Sequence, residues 1–108
     1  MKQLTATELA GLAPTAADAV AMLLLDVREP WEFATGHIAQ SVTIPMHTVP
    51  AHVNELAPAA PHVVICHHGV RSQQVAMFLE RNGFSNVFNL QGGVDAWSHA
   101  IDPSMPKY

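Results

Sequence analysis

The sequence predicts an α/β domain built on a mostly parallel β-sheet with helices on both faces, and three observations carry that reading. Short runs such as Met22-Leu23-Leu24-Leu25 and Val63-Val64-Ile65 are apolar without alternation, as strands buried on both sides are. Helix-patterned stretches with capping and turn residues lie between such runs, so strand and helix alternate along the chain. Hydrophobic residues make up 49% of the chain and charged residues 13%, a balance that suits a covered sheet and not a disordered polymer.

Met1-Lys2-Gln3-Leu4 is read as a lead-in to a helix from Ala6 to Gly11, which Thr5-Ala6-Thr7-Glu8 opens as a capping box. Met22 to Asp26 is a buried strand with a polar carboxyl end. Pro30 sits where a first helical turn tolerates it, Trp31 to Thr35 supply one or two turns, and Gly36 stops them. Val42-Thr43-Ile44 is a second strand. Val49, Val53 and Leu56 share one face of an expected helix from Val49 to Leu56, ended by Pro58 and Pro61. After the strand Val63 to Ile65, Val75, Phe78 and Leu79 fall at helical spacing and Gly83 stands as the C′ residue, giving a helix from about Arg71 to Asn82. Val87 to Leu90 is a further strand, Gly92-Gly93 a turn, and Val94 to Ala100 a last helix.

At 108 residues the expectation is one domain over residues 1–108, large enough to bury a core of its own. A formal net charge of −4 with only five Lys and Arg lacks the basic footprint of a nucleic-acid binder. The longest apolar run, residues 19–25, is too short to cross a bilayer, and the start has no apolar signal core. The expected location is cytoplasmic, with no membrane and no nucleic-acid partner. One cysteine rules out an intramolecular disulfide, which agrees with a reducing compartment.

That cysteine, Cys66, ends the run His62-Val63-Val64-Ile65 and opens the loop His67-His68-Gly69-Val70-Arg71-Ser72 before a helix. A lone cysteine ending a buried strand is more often an inert hydrophobe than a nucleophile. The residues after it reverse that reading. Gly69 frees the backbone to turn N–H groups inward, Arg71 supplies a permanent positive charge, and Ser72 with Gln73 and Gln74 opens the helix. Unpaired N–H groups and the helix dipole favour a thiolate and an anionic ligand there. In a parallel sheet, ligands bind beyond the carboxyl ends of the strands, where Asp26 and Cys66 both fall.

Four separated segments resemble the rhodanese family of sulfurtransferases: Leu25-Asp26-Val27-Arg28-Glu29-Pro30-Trp31-Glu32-Phe33, Gly36-His37-Ile38-Ala39-Gln40-Ser41, the loop Cys66 to Ser72, and Leu90-Gln91-Gly92-Gly93-Val94-Asp95-Ala96-Trp97. The resemblance implies the rhodanese-like fold with a five-stranded central sheet. It also implies transfer of a sulfane sulfur from a donor such as thiosulfate to a thiophilic acceptor through a Cys66 persulfide, with no metal and no organic cofactor. On that reading Cys66 is the nucleophile and Arg71 binds the donor anion, with His67, His68, Gly69, Val70 and Ser72 completing the substrate-binding loop. The implied partners are a small anionic sulfur donor and a possible donor or acceptor protein. Family members often carry basic or polar residues where His67 and His68 stand.

A metal at His67 and His68 is not expected, because adjacent residues rarely share one ion and the sequence places no suitably spaced acid beside them. Asp26, Arg28 and Glu29 match the family's Asp-x-Arg-Glu segment. They are read as a strand-end carboxylate and structural ion pairs, since a carboxylate beside a thiolate would oppose its ionisation. His37 is expected to fix a turn, Trp31 and Trp97 to pack, and His47, His52, His62 and His99 to lie on the surface. Two alternatives stand beside sulfur transfer: a sulfur-relay or binding module acting with a partner protein, and a cysteine phosphatase of the same fold. Those phosphatases carry Cys-x5-Arg, whereas Cys66 to Arg71 is Cys-x4-Arg, a narrower cradle.

Overall fold

The computed structural model describes residues 1–12 and 22–108. Its strands are β1 (Lys2–Leu4), β2 (Leu23–Asp26), β3 (Val42–Thr43), β4 (His62–Ile65) and β5 (Val87–Leu90), and they form a five-stranded sheet in the order β1-β5-β4-β2-β3. Every neighbouring pair is parallel. The helices are α1 (Ala6–Leu12), α2 (Pro30–Thr35), α3 (Val49–His52), α4 (Val70–Arg81) and α5 (Gly93–Ala100).

Alternation along β4 divides the core in two. Val64 and Cys66 join Leu25, Val87 and the α4 residues Val75, Ala76 and Leu79 on one face of the sheet. Val63 and Ile65 join Leu4, Leu90, Leu9 of α1 and Val94 of α5 on the other. Every residue of β4 is buried, which is why the strand reads as an unbroken apolar run. Each such aliphatic side chain contributes about 1.5–3 kcal/mol by leaving water. The register sets Leu25 and Asn89 beside Val64, and Asp26 beside Ile65, so the carboxyl ends of β2 and β4 and the end of β5 open on one rim.

The structure departs from the sequence reading at several places. Residues 2–4 are an edge strand paired with β5, Leu4 beside Leu90, and three residues of which only Leu4 is buried leave no pattern to recognise. The expected helix from Val49 to Leu56 is one α-turn, α3, between 3₁₀ turns at Met46–Thr48 and Val53–Glu55. Val53 and Leu56 are three apart and both pack on the core, a spacing that a 3₁₀ turn satisfies as well as an α-helix. His62 is not a surface residue: it opens the central strand, is 1% exposed, places Nδ1 2.7 Å from the Ala60 carbonyl oxygen and meets Phe84 edge to face. Burial holds its imidazole below the ordinary pKa. Trp31 does not pack into the core but is 61% exposed, because α2 turns Glu32 inward instead. Trp97 packs against the α1/α5 side of the core, and Thr5 and Glu8 cap α1 reciprocally at 2.9 and 3.1 Å, both as the sequence predicts. Residues 19–21 of the longest apolar run lie outside the described residues. No helix among the described residues is long and apolar enough to cross a membrane.

Candidate active site

Cys66 follows the last residue of β4 and is 1% exposed, so its thiol forms the floor of the loop that leads into α4. Gly69 adopts φ +101°, and this left-handed turn aims its N–H back at Sγ, which accepts it at 3.0 Å. Ser72 Oγ lies 3.3 Å from Sγ, and Asn89 of β5 sets the direction of that contact. The Asn89 amide nitrogen donates to Gln3 Oε1 at 2.9 Å and to the Gly69 carbonyl at 3.2 Å, so its oxygen is the acceptor for the Ser72 hydroxyl. With its proton directed to Asn89, Ser72 turns a lone pair toward the sulfur.

The first N–H groups of α5 fix the other half of the loop. Val94 N–H donates to the Cys66 carbonyl at 2.8 Å and Asp95 N–H to the His67 carbonyl at 3.0 Å. Gly93 makes that approach possible, since a Cβ there would stand 2.3 Å from the Cys66 carbonyl oxygen and 2.4 Å from that of His67. The glycine pair read as a turn is therefore also where loop and helix meet.

Arg71 does not stand free over the thiol. Its guanidinium grips Glu32 of α2 through two bonds, Nη1 to Oε1 at 2.7 Å and Nη2 to Oε2 at 2.9 Å. Glu32 also receives the Tyr108 hydroxyl at 2.8 Å, and that hydroxyl accepts from Arg28 Nη1 at 2.7 Å. Arg28, fully buried, binds Asp26 through Nε and Nη2 and the Gly36 carbonyl through Nη2. The Arg71 hydrogen bonds hold the Glu32 carboxyl at about 2 against the opposing effect of burial, and the same bonds raise Arg71. Asp26 caps the turn after β2, accepting from the Arg28 N–H at 3.1 Å, and Arg28 forms a structural ion pair as expected, with Asp26 as its partner. Glu29 has no ion-pair partner among the described residues: it lies exposed at the start of α2, where its backbone N–H donates to Glu32 Oε1 at 2.9 Å, and Glu32 is the acid of this helix that meets an arginine. His37 fixes its turn through Nδ1 at 2.8 Å from the Phe33 carbonyl oxygen.

The sequence matches the Rhodanese-like domain family over residues 5–100. The chain belongs to that family. It is 37% identical over 97 residues to a protein of Allochromatium vinosum named sulfurtransferase, covering 89% of this chain and 91% of that one. It is 36% identical over 94 residues to the thiosulfate sulfurtransferase GlpE of Pseudomonas syringae, covering 84% and 89% of the two chains. Among solved structures, the rhodanese-like domain protein of Staphylococcus aureus superposes with a TM-score of 0.80 at 34% identity, over 90% of this chain and 91% of that one.

In this rhodanese domain His67 and His68 extend along the rim of the loop. Their rings stack at 4.0 Å, and His67 stacks on its other side against Tyr108, also at 4.0 Å. Burial first, and the neighbouring His68 second, hold His67 below the ordinary histidine pKa. The fold also brings an acid that sequence spacing hides: ligand atoms of His67, His68 and Asp95 lie within 4.8 Å of one another. Val70 is 69% exposed beside them in sequence. Four residues of this neighbourhood escape a reading of the sequence: Glu32, Asn89, Asp95 and Tyr108. Asn89, a polar residue within the buried strand Val87 to Leu90, is the one with a visible signal.

Proposed function

We propose that the chain is a thiosulfate sulfurtransferase-type enzyme that carries sulfane sulfur as a persulfide on Cys66. The Cys66 thiolate attacks the outer sulfur of thiosulfate, the S–S bond of the donor breaks, and sulfite leaves with the bonding electron pair. A thiophilic acceptor such as cyanide then attacks the terminal sulfur, leaving as thiocyanate and restoring the thiolate. Charge and electrons balance within each step, so neither metal nor organic cofactor is needed. The observation that carries the reading is the Gly69 N–H at 3.0 Å from a sulfur sunk at the carboxyl end of a central parallel strand. The names of the relatives support the same chemistry.

Gly69, Val70 and the residues about them form the anion cradle, with His67 and His68 as rim donors; Ser72, whose proton goes to Asn89, seats the sulfur from below without donating to it. Arg71 assists the donor anion with what Glu32 leaves of it. Of the five N–H bonds of a guanidinium, two are directed to Glu32, and the side chain is 36% exposed, so three donors remain for an oxyanion. The acting partner is a small anionic sulfur donor, and the cytoplasm is the setting.

The test is intact-protein mass after incubation with thiosulfate, with and without reductant. The expected result is a reducible gain of one sulfur atom that is missing in Cys66→Ser, together with loss of transfer to cyanide. Loading from a protein persulfide but never from thiosulfate would favour a relay module, and no loading from either would remove the enzyme reading.

A further inference from the structure

We infer that His67, His68 and Asp95 form a binding site for a zinc-class divalent metal ion at the rim of the Cys66 loop, and that an ion held there closes the loop to a sulfur donor. The second half of this inference rests on the sulfur-transfer reading; the first does not.

The donor set comes from two elements that the backbone locks together. Asp95 sits in the first turn of α5, and its own N–H donates to the His67 carbonyl at 3.0 Å, so the carboxylate and the histidines do not drift apart with the loop. Their ligand atoms lie within 4.8 Å of one another. Around a tetrahedral zinc with bonds of about 2.0–2.1 Å, ligand atoms stand roughly 3.3 Å apart, so side-chain torsions alone can complete the closure. The residues free to make them are His68, whose side chain is 65% exposed, and Asp95, at 36%. His67 is the fixed ligand, backed by the Tyr108 ring, and His68 swings out of its stack on His67 so that both in-plane lone pairs meet one ion.

Two imidazoles and one carboxylate suit zinc and the neighbouring first-row ions, and leave a fourth position open to solvent. His99 Nδ1 lies 2.8 Å from the Asp95 backbone carbonyl oxygen, one turn along α5, and leaves the carboxylate itself free to turn toward the histidines. Cys66 is not a member of the set, since its sulfur lies 1% exposed on the loop floor. An ion on the rim engages both histidines, so that neither ring is left to receive an incoming anion.

The experiment is calorimetric titration of zinc chloride into the reduced full chain, repeated with cobalt(II) and its visible absorption bands. The expected outcome is one ion per chain with micromolar affinity, weakened at least about tenfold in Asp95→Asn and in His68→Asn. Binding should be unchanged in Cys66→Ser. Thiosulfate loading of Cys66, read by mass, should fall with zinc in the native protein and become insensitive to zinc in Asp95→Asn, each protein being compared with its own zinc-free rate. Loss of binding in Cys66→Ser, or binding that survives both rim variants, overturns the site in favour of capture by the thiolate or by other histidines, and no binding at millimolar zinc overturns it outright. Zinc that binds without slowing the loading overturns the closure alone. A native protein that binds zinc but never loads sulfur leaves the site standing and defeats the sulfur-transfer reading instead.

Discussion

Tyr108 and Glu32, 76 positions apart, share a hydrogen bond of 2.8 Å, and through it the end of the chain is joined to the arginine of the active loop. The tyrosine accepts from buried Arg28 at 2.7 Å while it donates to Glu32, so one hydroxyl links the Asp26–Arg28 pair to the Glu32–Arg71 pair. Its ring covers His67 at 4.0 Å and meets Trp31 edge-on at 5.5 Å. Tyr108→Phe keeps both ring contacts and removes the link. The expected loss is about 1–2 kcal/mol, read as a lower urea midpoint at unchanged slope. A midpoint equal to that of the native protein would show that water replaces the hydroxyl in full.

Stability should also depend on pH through Glu32. Its carboxyl is held at about 2, against an ordinary 4.5, first of all by Arg71. A carboxyl depressed on folding stabilises the native state fully above its unfolded pKa and loses that contribution as pH falls through the folded value. The window therefore runs from about pH 4.5 down to about 2, and the contribution is at most about 3 kcal/mol, reduced because Arg71 is 36% exposed. Glu32→Gln should be clearly less stable than the native protein to urea at pH 7, with the gap narrowing toward pH 3. A gap of the same size at both pH values would assign the loss to packing and not to charge.

The sheet and its two covered faces were legible because β2 and β4 leave unbroken apolar runs, Met22 to Leu25 and Val63 to Ile65, and helical spacing marks α4. The nucleophile loop was legible because Cys66, Gly69, Arg71 and Ser72 are close in sequence and each needs its own side chain or lack of one. What surrounds the loop was not. Glu32 sits in a helix of six residues, where position gives no clue that it and not Trp31 turns inward. Tyr108 and Asp95 reach the rim only through the docking of the chain's end and of α5, contacts that leave no periodic trace. Arg71, read from local sequence as a free cation, meets its counter-ion 39 positions away.

Gly93 separates a steric demand from a conformational one. It has φ +60°, and a Cβ there would stand 2.3 Å from the Cys66 carbonyl oxygen, whereas Gly83, at φ +87°, has open space around it. Both alanine variants carry the left-handed backbone cost of about 1–2 kcal/mol. Only Gly93→Ala must also push the loop off α5, breaking the Val94 and Asp95 N–H bonds to the Cys66 and His67 carbonyls. Gly83→Ala should keep native sulfur loading, while Gly93→Ala should lose most of it and melt at a lower temperature than Gly83→Ala. Equal behaviour of the two would mean that the loop does not depend on its seat against α5.

Loop length is expected to select between sulfur and phosphorus chemistry. A buried thiolate, inward N–H groups and an arginine serve both, so the four residues between Cys66 and Arg71 are the variable that discriminates. The structure shows what fixes this length: the Cys66 and His67 carbonyls are bonded to α5, and the Gly69 carbonyl accepts from Asn89 at 3.2 Å. A glycine inserted after Gly69 leaves those anchors in place and lengthens the junction at which Gly69, the N-cap, meets Val70 at the start of α4, displacing the Gln73 N–H bond to the Gly69 carbonyl. The wider cradle surrounds a tetrahedral anion with more N–H groups but holds the smaller persulfide sulfur less closely. The native protein should therefore show negligible Cys66-dependent hydrolysis of an aryl phosphate, and the insertion should slow sulfur transfer while tightening the binding of phosphate-like oxyanions. Hydrolysis by the native protein at a rate rivalling its sulfur transfer, and lost in Cys66→Ser, would make the phosphatase the better reading, because the narrow loop would then be no barrier to a phosphoryl group.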